Sequence, residues 1–195
     1  PRRYKVLFAE IKSILERNGI PFGLIPETKD IWCRDYMPIQ SFPNSFIQFD
    51  YSPDYLLNDK DYHTITDTKG ILPKIGIDKV PCSPGVVLDG GNLVKSKTKA
   101  ILTDKIFDEN PDYGHDDLKE KIARTLDMQV QGIIIIPKDE SDMFGHSDGM
   151  VRFIDEENVF VNDYSVEKHF QEKFEAPLIE AGLNLHWLPY NPYKN

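Results

Sequence analysis

The sequence predicts an α/β fold that repeats a strand–strand–helix–strand unit around an axis. Two hairpin patterns support this prediction, because those at 92–103 and 150–162 are each followed by a helical pattern and then by a single apolar strand. Asp35, Asp89 and Asp148 lie just before or inside the first strands of successive units, roughly 55 residues apart. About three such units fit into the chain, the first of them irregular, and polar groups at equivalent places would converge at the centre.

The N-terminal elements are predicted from apolar spacing and from turn residues. Apolar residues at helical spacing predict a helix over 4–18, which Gly19 ends, and the segment 20–25 is predicted as a strand. Two more strands, 31–40 and 45–51, are joined by the turn Ser-Phe-Pro-Asn. The hairpin of the first, irregular unit is therefore predicted within 31–51.

The rest of the chain alternates strands and helices in the same way. The predicted elements are a polar loop with a short helix at 52–72, two segments at 79–80 and 86–88 that flank a Pro-Gly turn, a hairpin at 92–94 and 100–103, a helical turn at 104–110, an amphipathic helix at 115–126, a buried strand at 131–137, a hairpin at 150–154 and 159–162, a helix at 166–181 and a last strand at 183–188. Leu118, Ile122 and Leu126 form the apolar stripe of the amphipathic helix, and the isoleucine run 133–136 predicts a fully buried strand.

Composition indicates one globular domain over residues 1–195, with 40% hydrophobic and 28% charged residues. The net charge of −9 argues against nucleic acid or an anionic membrane as the main partner, and no apolar run approaches the ~20 residues of a membrane span. Two cysteines, Cys33 and Cys82, make no disulfide framework, so a cytoplasmic location is expected. Both ends of the chain look cut, so we expect a catalytic-type domain that is truncated at both ends.

A histidine and an aspartate stand two residues apart, behind Gly145 and ahead of an apolar run. In an extended segment His146 and Asp148 would share one face, and Asp142 lies one turn earlier. An imidazole can move protons near neutral pH, while a carboxylate can hold a cation. A metal site competes with this interpretation because His-x-Asp can chelate, although the other ligands that zinc usually takes are not visible in the sequence.

Two further polar segments have a structural and a functional interpretation. Arg34 and Asp35 interrupt a predicted apolar strand, so they form either an internal ion pair or a site in which Asp35 grips a cation beside the wall of Trp32. The second segment is the Gly-Gly turn between Asp89 and Asn92. It is either a plain hairpin turn, in which these two side chains bond the backbone, or part of the same site.

Three motifs stand in order along the chain. They are Asp30-Ile-Trp-Cys-Arg-Asp-Tyr-Met-Pro38, Leu88-Asp-Gly-Gly-Asn92 and Gly145-His-Ser-Asp-Gly-Met-Val-Arg-Phe153. In sequence, order and spacing they resemble the agmatine deiminase and bacterial-type peptidylarginine deiminase family. The resemblance implies a pentein fold, in which five strand–strand–helix–strand units surround a pseudo-fivefold axis, with about three units present here.

The resemblance also implies an activity. Members of the family hydrolyse a guanidinium group to a ureido group and ammonia, without a metal or an organic cofactor. In agmatine deiminases the product is N-carbamoylputrescine, on a route to putrescine. The implied partner is therefore a small cationic guanidine.

By motif, the resemblance assigns roles to individual residues. Asp35 and Asp148 would hold the guanidinium nitrogens, and His146 would be the general acid and base. These three are the predicted catalytic residues. The predicted substrate-binding residues are Trp32, Asp89, Asn92, Asp142 and Arg152. Position 142 matches another acidic group near the substrate, and position 89 carries glutamate in many relatives.

In this family the nucleophile is a cysteine thiolate near the C-terminus, which forms a covalent thiouronium intermediate. Cys33 and Cys82 match no nucleophile position, so the nucleophilic cysteine is expected beyond Asn195 and the chain alone is expected to be inactive. An incomplete ring would also leave an open edge. Self-association as a homo-oligomer, or pairing with the missing part, is therefore expected.

Three alternatives to an agmatine deiminase stay open at this point. A deiminase of arginine or peptidyl arginine would differ mainly in how open the mouth of its pocket is. A non-catalytic guanidine-binding module would keep the carboxylates and lack the thiol. A metal-dependent hydrolase would use His146 and Asp148 as ligands.

Overall fold

Three small sheets of three strands each make up the β-structure of residues 4–42, 45–76 and 82–190, the part of the chain that the computed structural model describes. The first sheet contains β1 (Ile39–Phe42), β2 (Ser45–Asp50) and β3 (Cys82–Val87). The second contains β4 (Val94–Lys95), β5 (Ala100–Thr103) and β6 (Ile133–Ile136). The third contains β7 (Val151–Phe153), β8 (Asn158–Asp163) and β9 (Asn184–Pro189).

Strand directions follow one rule in all three sheets. The first two strands pair antiparallel, and the third pairs parallel to the second. A parallel neighbour needs a crossover, which in the second and third sheets contains a helix. The mixed α/β fold predicted from the sequence is confirmed.

Six α-helices connect or flank these strands within the described residues. They are α1 (Lys5–Arg17), α2 (Cys33–Tyr36), α3 (Thr68–Ile71), α4 (Lys105–Asp108), α5 (His115–Leu126) and α6 (Lys168–Glu180). Both C-terminal hairpins and all the predicted helices are present within a few residues of their predicted bounds. The predicted bounds of α5 are those observed, because its apolar stripe is buried as the spacing indicates.

The second sheet is buried on both faces and lies between two apolar clusters. Leu102 and Ile133 pack with the first sheet and α5, whereas Ile101, Ile134 and Ile136 pack with the third sheet and α6. Successive side chains of a strand point to opposite faces, so an uninterrupted apolar strand serves both clusters. The predicted isoleucine strand is confirmed and is buried at Ile133, Ile134 and Ile136, whereas Ile135 is only half-buried.

In the N-terminal region the predicted strand 20–25 is wrong, and the predicted strand 31–40 is confirmed only at Ile39 and Gln40, the start of β1. Residues 20–25 form no strand and no strand pairing within the described residues, and the apolar Ile20, Phe22 and Leu24 are exposed. Residues 33–36 form the helical turn α2 instead of a strand, closed by the hydrogen bond from the Met37 amide to the Cys33 carbonyl. The residue before a proline disfavours the helical conformation, so the helical turn ends before Met37, which is extended, and β1 begins at Ile39.

The predicted Pro-Gly turn is also different from the observed backbone. Pro84 and Gly85 lie inside β3, where the register with β2 shifts between Phe49 and Asp50. The bulge there absorbs the extra residues without ending the strand. The predicted segment 79–80 lies outside the described residues.

Glu156 ties the turn of the third-sheet hairpin to the turn of the second. Its carboxylate accepts hydrogen bonds from the amides of Lys97 and Thr98 at 2.6 and 3.1 Å and from the hydroxyls of Ser96 and Thr98 at 3.0 and 2.5 Å. Burial opposes its ionisation, but these donors outweigh burial and lower the pKa of Glu156 to about 2. The two sheets are therefore joined by a charged link as well as by their shared core.

Replacement of that carboxylate tests the link. We expect Glu156→Gln to lower the free energy of unfolding by about 1–2 kcal/mol at pH 7, because the amide accepts fewer of the four hydrogen bonds. The deficit should shrink as the pH falls from 4.5 towards 2, since a carboxylate with a depressed pKa contributes stability above its unfolded pKa and loses it on protonation. Urea denaturation at several pH values measures this. Glu157→Gln, which removes a neighbouring exposed carboxylate, is the matched control, and equal losses in both variants would contradict the link.

Candidate functional site

A cavity of about 540 Å³ opens where the first and third motifs of the sequence meet. Its walls are acidic and aromatic. The charged residues that line it are Asp30, Arg34, Asp35, Asp61, Asp142 and Asp148, and the aromatic residues are Trp32, Tyr51, Tyr55 and Phe144, with His146 among them. Five carboxylates and one guanidinium give the cavity a net negative charge, which favours a cationic ligand.

The Gly-Gly turn lets the backbone come close to both other motifs. The Gly91 amide donates a hydrogen bond of 3.0 Å to Asp35 Oδ1. A Cβ on Gly91 would stand 2.3 Å from His146 Nδ1, and a Cβ on Gly90 would stand 1.9 Å from the Arg34 carbonyl oxygen. The site therefore requires glycine at both positions, because any side chain would displace the groups it assembles.

His146 lies between two carboxylates. Its Nε2 is 3.0 Å from Asp89 Oδ2, and its Nδ1 is 3.8 Å from Asp35 Oδ1. Burial disfavours the imidazolium, but the hydrogen bond and charge of Asp89 and the charge of Asp35 outweigh it and raise the pKa of His146 above 6.5. The buried imidazole therefore holds its proton more tightly than a free histidine does.

The backbone around His146 is not the extended segment that the sequence predicts. Gly145 has a φ of +63°, and residues Ser147–Gly149 form a 3-10 turn. The carboxylate of Asp148 nevertheless lines the same cavity as His146. A turn, and not strand alternation, brings the two side chains together.

Asp35 is held in a setting that disfavours its charge. Burial raises its pKa above 3.8, as do the carboxylates of Asp89 and Asp148, while His146 and the Gly91 amide act in the opposite direction. A cation in the cavity would relieve this cost.

Arg34 forms a loose ion pair with Asp148 and not with its neighbour Asp35. Its Nε lies 3.9 Å from Asp148 Oδ2, and its Nη2 donates a hydrogen bond of 2.5 Å to the Leu93 carbonyl. The ion pair between Arg34 and Asp35, one of the two interpretations of the sequence, is therefore replaced by a contact of Arg34 across the cavity wall. The Asp148 carboxylate therefore already has a guanidinium group of the chain beside it.

Three predicted substrate-binding residues do not line the cavity. Asp89 is fully buried behind His146, and Asn92 is buried with its Oδ1 accepting a hydrogen bond of 2.9 Å from the Thr103 amide. Arg152 is exposed, and its Nη2 lies 3.4 Å from the Asp148 carbonyl oxygen. These three side chains are thus not among the residues that line the cavity, and their contact with a ligand stays a prediction. Trp32 and Asp142, the other two predicted substrate-binding residues, do line it.

Asn92 instead fastens the turns of the site to the core. Thr103 of β5 bonds Asn92, and its Oγ1 lies 2.6 Å from the Gly145 carbonyl oxygen. The Ser147 hydroxyl donates a hydrogen bond of 3.1 Å to the carbonyl of Ile101 in the same strand. One buried strand thus positions both turns.

A buried charge cluster, not predicted from the sequence, lies behind the cavity. Lys105 Nζ lies 3.3 Å from Asp89 Oδ2 and 2.7 Å from Glu109 Oε1. Burial, followed by the charge of Asp89, raises the pKa of Glu109 to about 7, although Lys105 opposes this. The signal that could have revealed the cluster is the Lys–Glu pair at i,i+4 in the helical turn predicted at 104–110.

The described residues offer neither a metal cluster nor a nucleophile at the cavity. No group of three or more histidine, cysteine, aspartate or glutamate side chains in the described ranges could hold a metal ion. Cys33 is exposed and is not among the lining residues, and the side chain of Cys82 lies outside those described. No described helix has the length and apolar character needed to cross a membrane.

Comparisons with known proteins identify the family and the fold. The sequence model of the Porphyromonas-type peptidyl-arginine deiminase family matches residues 9–179. No curated protein matches the chain in sequence. Agmatine deiminase of Enterococcus faecalis is similar in structure, with a TM-score of 0.64, 16% identity, and coverage of 84% of this chain and 50% of that one.

Two further solved structures are similar. Agmatine deiminase of C. jejuni with substrate bound has a TM-score of 0.67 and 16% identity, and the match covers 93% of this chain and 60% of that one. A Porphyromonas gingivalis protein assigned as an arginine deiminase has a TM-score of 0.67 and 17% identity, with coverage of 93% and 61%. The chain therefore shares the fold of agmatine deiminases and spans 50–61% of the length of these three structures.

The close approach at the Gly-Gly turn gives a direct test of the site geometry. We expect Gly91→Ala to lower the free energy of unfolding by about 1–3 kcal/mol, because the new Cβ would overlap both His146 and Asp35. Chemical denaturation measures the loss. Gly149→Ala is the control in the same cavity wall, since its Cβ would meet no atom within 4 Å. If Gly91→Ala is as stable as the parent, the imidazole and the carboxylate are not held where the structure has them.

Proposed function

The chain belongs to the Porphyromonas-type peptidyl-arginine deiminase family, and on that basis we propose that its cavity binds a guanidinium group for hydrolysis to a ureido group and ammonia. The observation that supports this proposal most is the pairing of acidic cavity walls with the buried Asp89–His146 contact of 3.0 Å. One part would hold a flat cation, and the other would hold and release a proton.

Guanidinium binding is assigned to Asp35 and Asp148. A guanidinium is planar, delocalised and charged at any physiological pH, so carboxylates can fix it through paired hydrogen bonds. Both carboxylates line the cavity, and the raised pKa of Asp35 reflects a buried negative charge that a bound cation would stabilise. Trp32 and Tyr55 would flank the substrate with aromatic surface.

Proton transfer is assigned to His146. In the proposed reaction a cysteine thiolate adds to the guanidinium carbon, and the carbon–nitrogen bond breaks as ammonia leaves with a proton from the imidazolium. The imidazole then accepts a proton from water, which attacks the thiouronium carbon and releases the thiolate. The raised pKa of His146 keeps the imidazole protonated for the first step near neutral pH.

The nucleophile of this proposal is a cysteine outside the 195 residues. Cys33 is unsuitable because it is exposed and does not line the cavity. We accordingly propose that the three sheets are three units of a five-unit pentein ring, that the chain is one truncated catalytic domain, and that the protein works in the cytoplasm and self-associates. No cofactor is needed in this scheme.

Agmatine is the substrate that the charge of the cavity favours. Beyond Asp35 and Asp148, the walls carry Asp30, Asp61 and Asp142, so the second cationic end of a substrate would be stabilised and a carboxylate would be repelled. The product would be N-carbamoylputrescine. Peptidyl arginine remains the second candidate, because Trp32 and Met143 are largely exposed at the cavity and leave it open on that side.

Binding of agmatine tests the proposal without requiring turnover. We expect calorimetric titration to show that agmatine binds the chain more tightly than 1,4-diaminobutane, an amine dication without a guanidinium, and more tightly than arginine. Asp148→Asn should weaken agmatine binding by about tenfold or more, because a charge-assisted bidentate contact is lost. Binding should also weaken as the pH falls through the raised pKa of Asp35, since a protonated carboxyl cannot pair with the cation.

The control for this experiment is Asp116→Asn, which removes an exposed carboxylate at the start of α5. It changes the net charge by the same amount and should leave the affinity within about twofold of the parent, since exposed charges are screened. Equal affinity for agmatine and 1,4-diaminobutane would contradict a guanidinium site. Tighter binding of an arginine-containing peptide would favour the second candidate.

Ammonia release tests the assignment of the nucleophile. We expect the 195-residue chain incubated with agmatine to release no more ammonia than a buffer control, with or without a thiol-blocking reagent. The physical reason is that unactivated water adds very slowly to a resonance-stabilised guanidinium. Turnover that the thiol reagent abolishes, and that Cys33→Ser also abolishes, would place the nucleophile within this chain. A longer protein that includes later residues and still shows no turnover would favour the non-catalytic guanidine-binding module.

A further inference from the structure

We propose that Lys105, held by Glu109, is a positioning residue that fixes Asp89 against His146 and thereby sets how firmly the imidazole holds its proton. The consequence for catalysis rests on the proposed function, because His146 matters for the reaction only if it is the acid and base. The electrostatic coupling itself stands on the geometry of five charged groups and can be measured in the absence of a substrate.

Lys105 is a buried cation in contact with three carboxylates. Its side chain is 5% exposed, and its Nζ lies 2.7 Å from Glu109, 3.1 Å from Asp54 and 3.3 Å from Asp89. The Tyr55 ring also faces it, with the ring centroid 5.0 Å from Nζ. An exposed Lys–Glu pair at i,i+4 contributes little, whereas this one is desolvated and shares its cation with the partner of His146.

The charged groups form an alternating series from α4 to the cavity. Glu109 contacts Lys105, Lys105 contacts Asp89, Asp89 contacts His146, and His146 faces Asp35. Neighbours in the series have opposite charges when the imidazole is protonated. Each charge therefore stabilises the next, and removal of one changes the field at those beyond it.

The direction of each effect on His146 follows from this order. The charge of Lys105 lowers the pKa of His146, while the charges of Asp89 and Asp35 raise it. Lys105 thus offsets part of the negative field that surrounds the imidazole. Without it, the imidazolium would face the same two carboxylates without that opposing charge and would release its proton less readily.

Glu109 affects how strongly Lys105 interacts with Asp89, because both carboxyls contact the same ammonium group. Its side chain is 2% exposed, and its Oε2 is buried without a hydrogen-bond partner among the described residues, as is Oδ1 of Asp89. Burial and the charge of Asp89 raise the pKa of Glu109 to about 7, so this carboxyl gains or loses its proton in the range where the imidazole works. An ionised Glu109 competes with Asp89 for the ammonium group.

Titratable groups from several packed elements face His146 and Lys105 and contribute to the electrostatic field there. They are Asp35 from α2, Asp54 and Tyr55 from the 3-10 turn Asp54–Leu56, Asp89 from the Gly-Gly turn, Glu109 after α4, and Asp142, whose Oδ2 accepts a hydrogen bond of 3.4 Å from the His146 amide. All of these groups are carboxyls or a phenol, whereas Lys105 is a cation, which gives its removal a definite sign.

Two substitutions with opposite expected signs test the proposal. The probe is the pKa of His146, followed by NMR titration of the chain and assigned with His146→Gln. Lys105→Met should raise that pKa by about one pH unit, because the cation that opposes the imidazolium is gone. Glu109→Gln should lower it by about half a pH unit, because one anion is removed and the ammonium stays with Asp89. A merely structural role would not move the pKa in opposite directions.

Lys105→Arg and Lys12→Met complete the design. The arginine variant keeps the cation and should return the pKa of His146 towards the parent value, whereas Lys12→Met removes an exposed cation of α1 and should leave it unchanged. Amide spectra verify that each variant is folded, and Glu109→Gln keeps the test decisive if Lys105→Met does not fold. An unchanged pKa in Glu109→Gln, or a shift of the same sign in both variants, would overturn the proposal. Failure of agmatine to bind would overturn the proposed function alone.

Discussion

The contact between His146 and Asp89 is the constraint on which the rest of the site depends. Asp89 is 0% exposed, and a buried carboxylate is costly unless it is paired with a charge and with hydrogen-bond donors. Its partners come from two different turns, since His146 lies beyond β6 and Lys105 lies in α4. The fold must therefore hold distant segments to within hydrogen-bonding distance, or Asp89 would be buried without compensation.

Backbone and core features meet this requirement. The Gly-Gly turn approaches so closely that a methyl group at Gly91 would overlap both His146 and Asp35. Thr103 connects that turn to the one at Gly145, and it belongs to a strand buried between the two apolar clusters. The stability of the second sheet is in this way transmitted to the site, because small changes in a close-packed core move the groups attached to it.

Much of this fold was predictable from local patterns. The strands and helices after residue 86 were predictable because their apolar residues recur at the spacing of the faces that they bury, as in α5 and β6. The segment 20–25 has the alternation of a strand but no partner strand among the described residues, and strand formation depends on pairing and not on pattern alone. The turn α2 was missed because two charges in an apolar run were interpreted as a strand end.

The site was predictable only in part, because a sequence motif does not show which side chains line the cavity and which are buried behind it. Sequence motifs found Asp35, Asp142, His146 and Asp148, whose side chains reach the cavity. They could not separate residues that line the cavity from those that support it, since Asp89 and Asn92 are adjacent to the same glycines but point into the interior. Lys105 escaped notice because a Lys–Glu pair on a helical turn is most often exposed, and only tertiary contacts bury it.

The carboxylates around the cavity stabilise the protonated imidazole, and a bound cationic substrate would change that stabilisation as the proposed reaction proceeds. The carboxylates of Asp35 and Asp89 hold the proton on His146 while the cavity is free of a cation. A guanidinium that pairs with Asp35 would cancel part of that field and lower the pKa of the imidazole. Substrate binding would thus weaken the hold on the proton at the step where ammonia needs it, and the field would be restored only when the cationic thiouronium has become the neutral ureido product. The carboxylates that select a cationic substrate would therefore also change the pKa of His146 during the reaction. Lys105 would set the value of that pKa before the substrate binds.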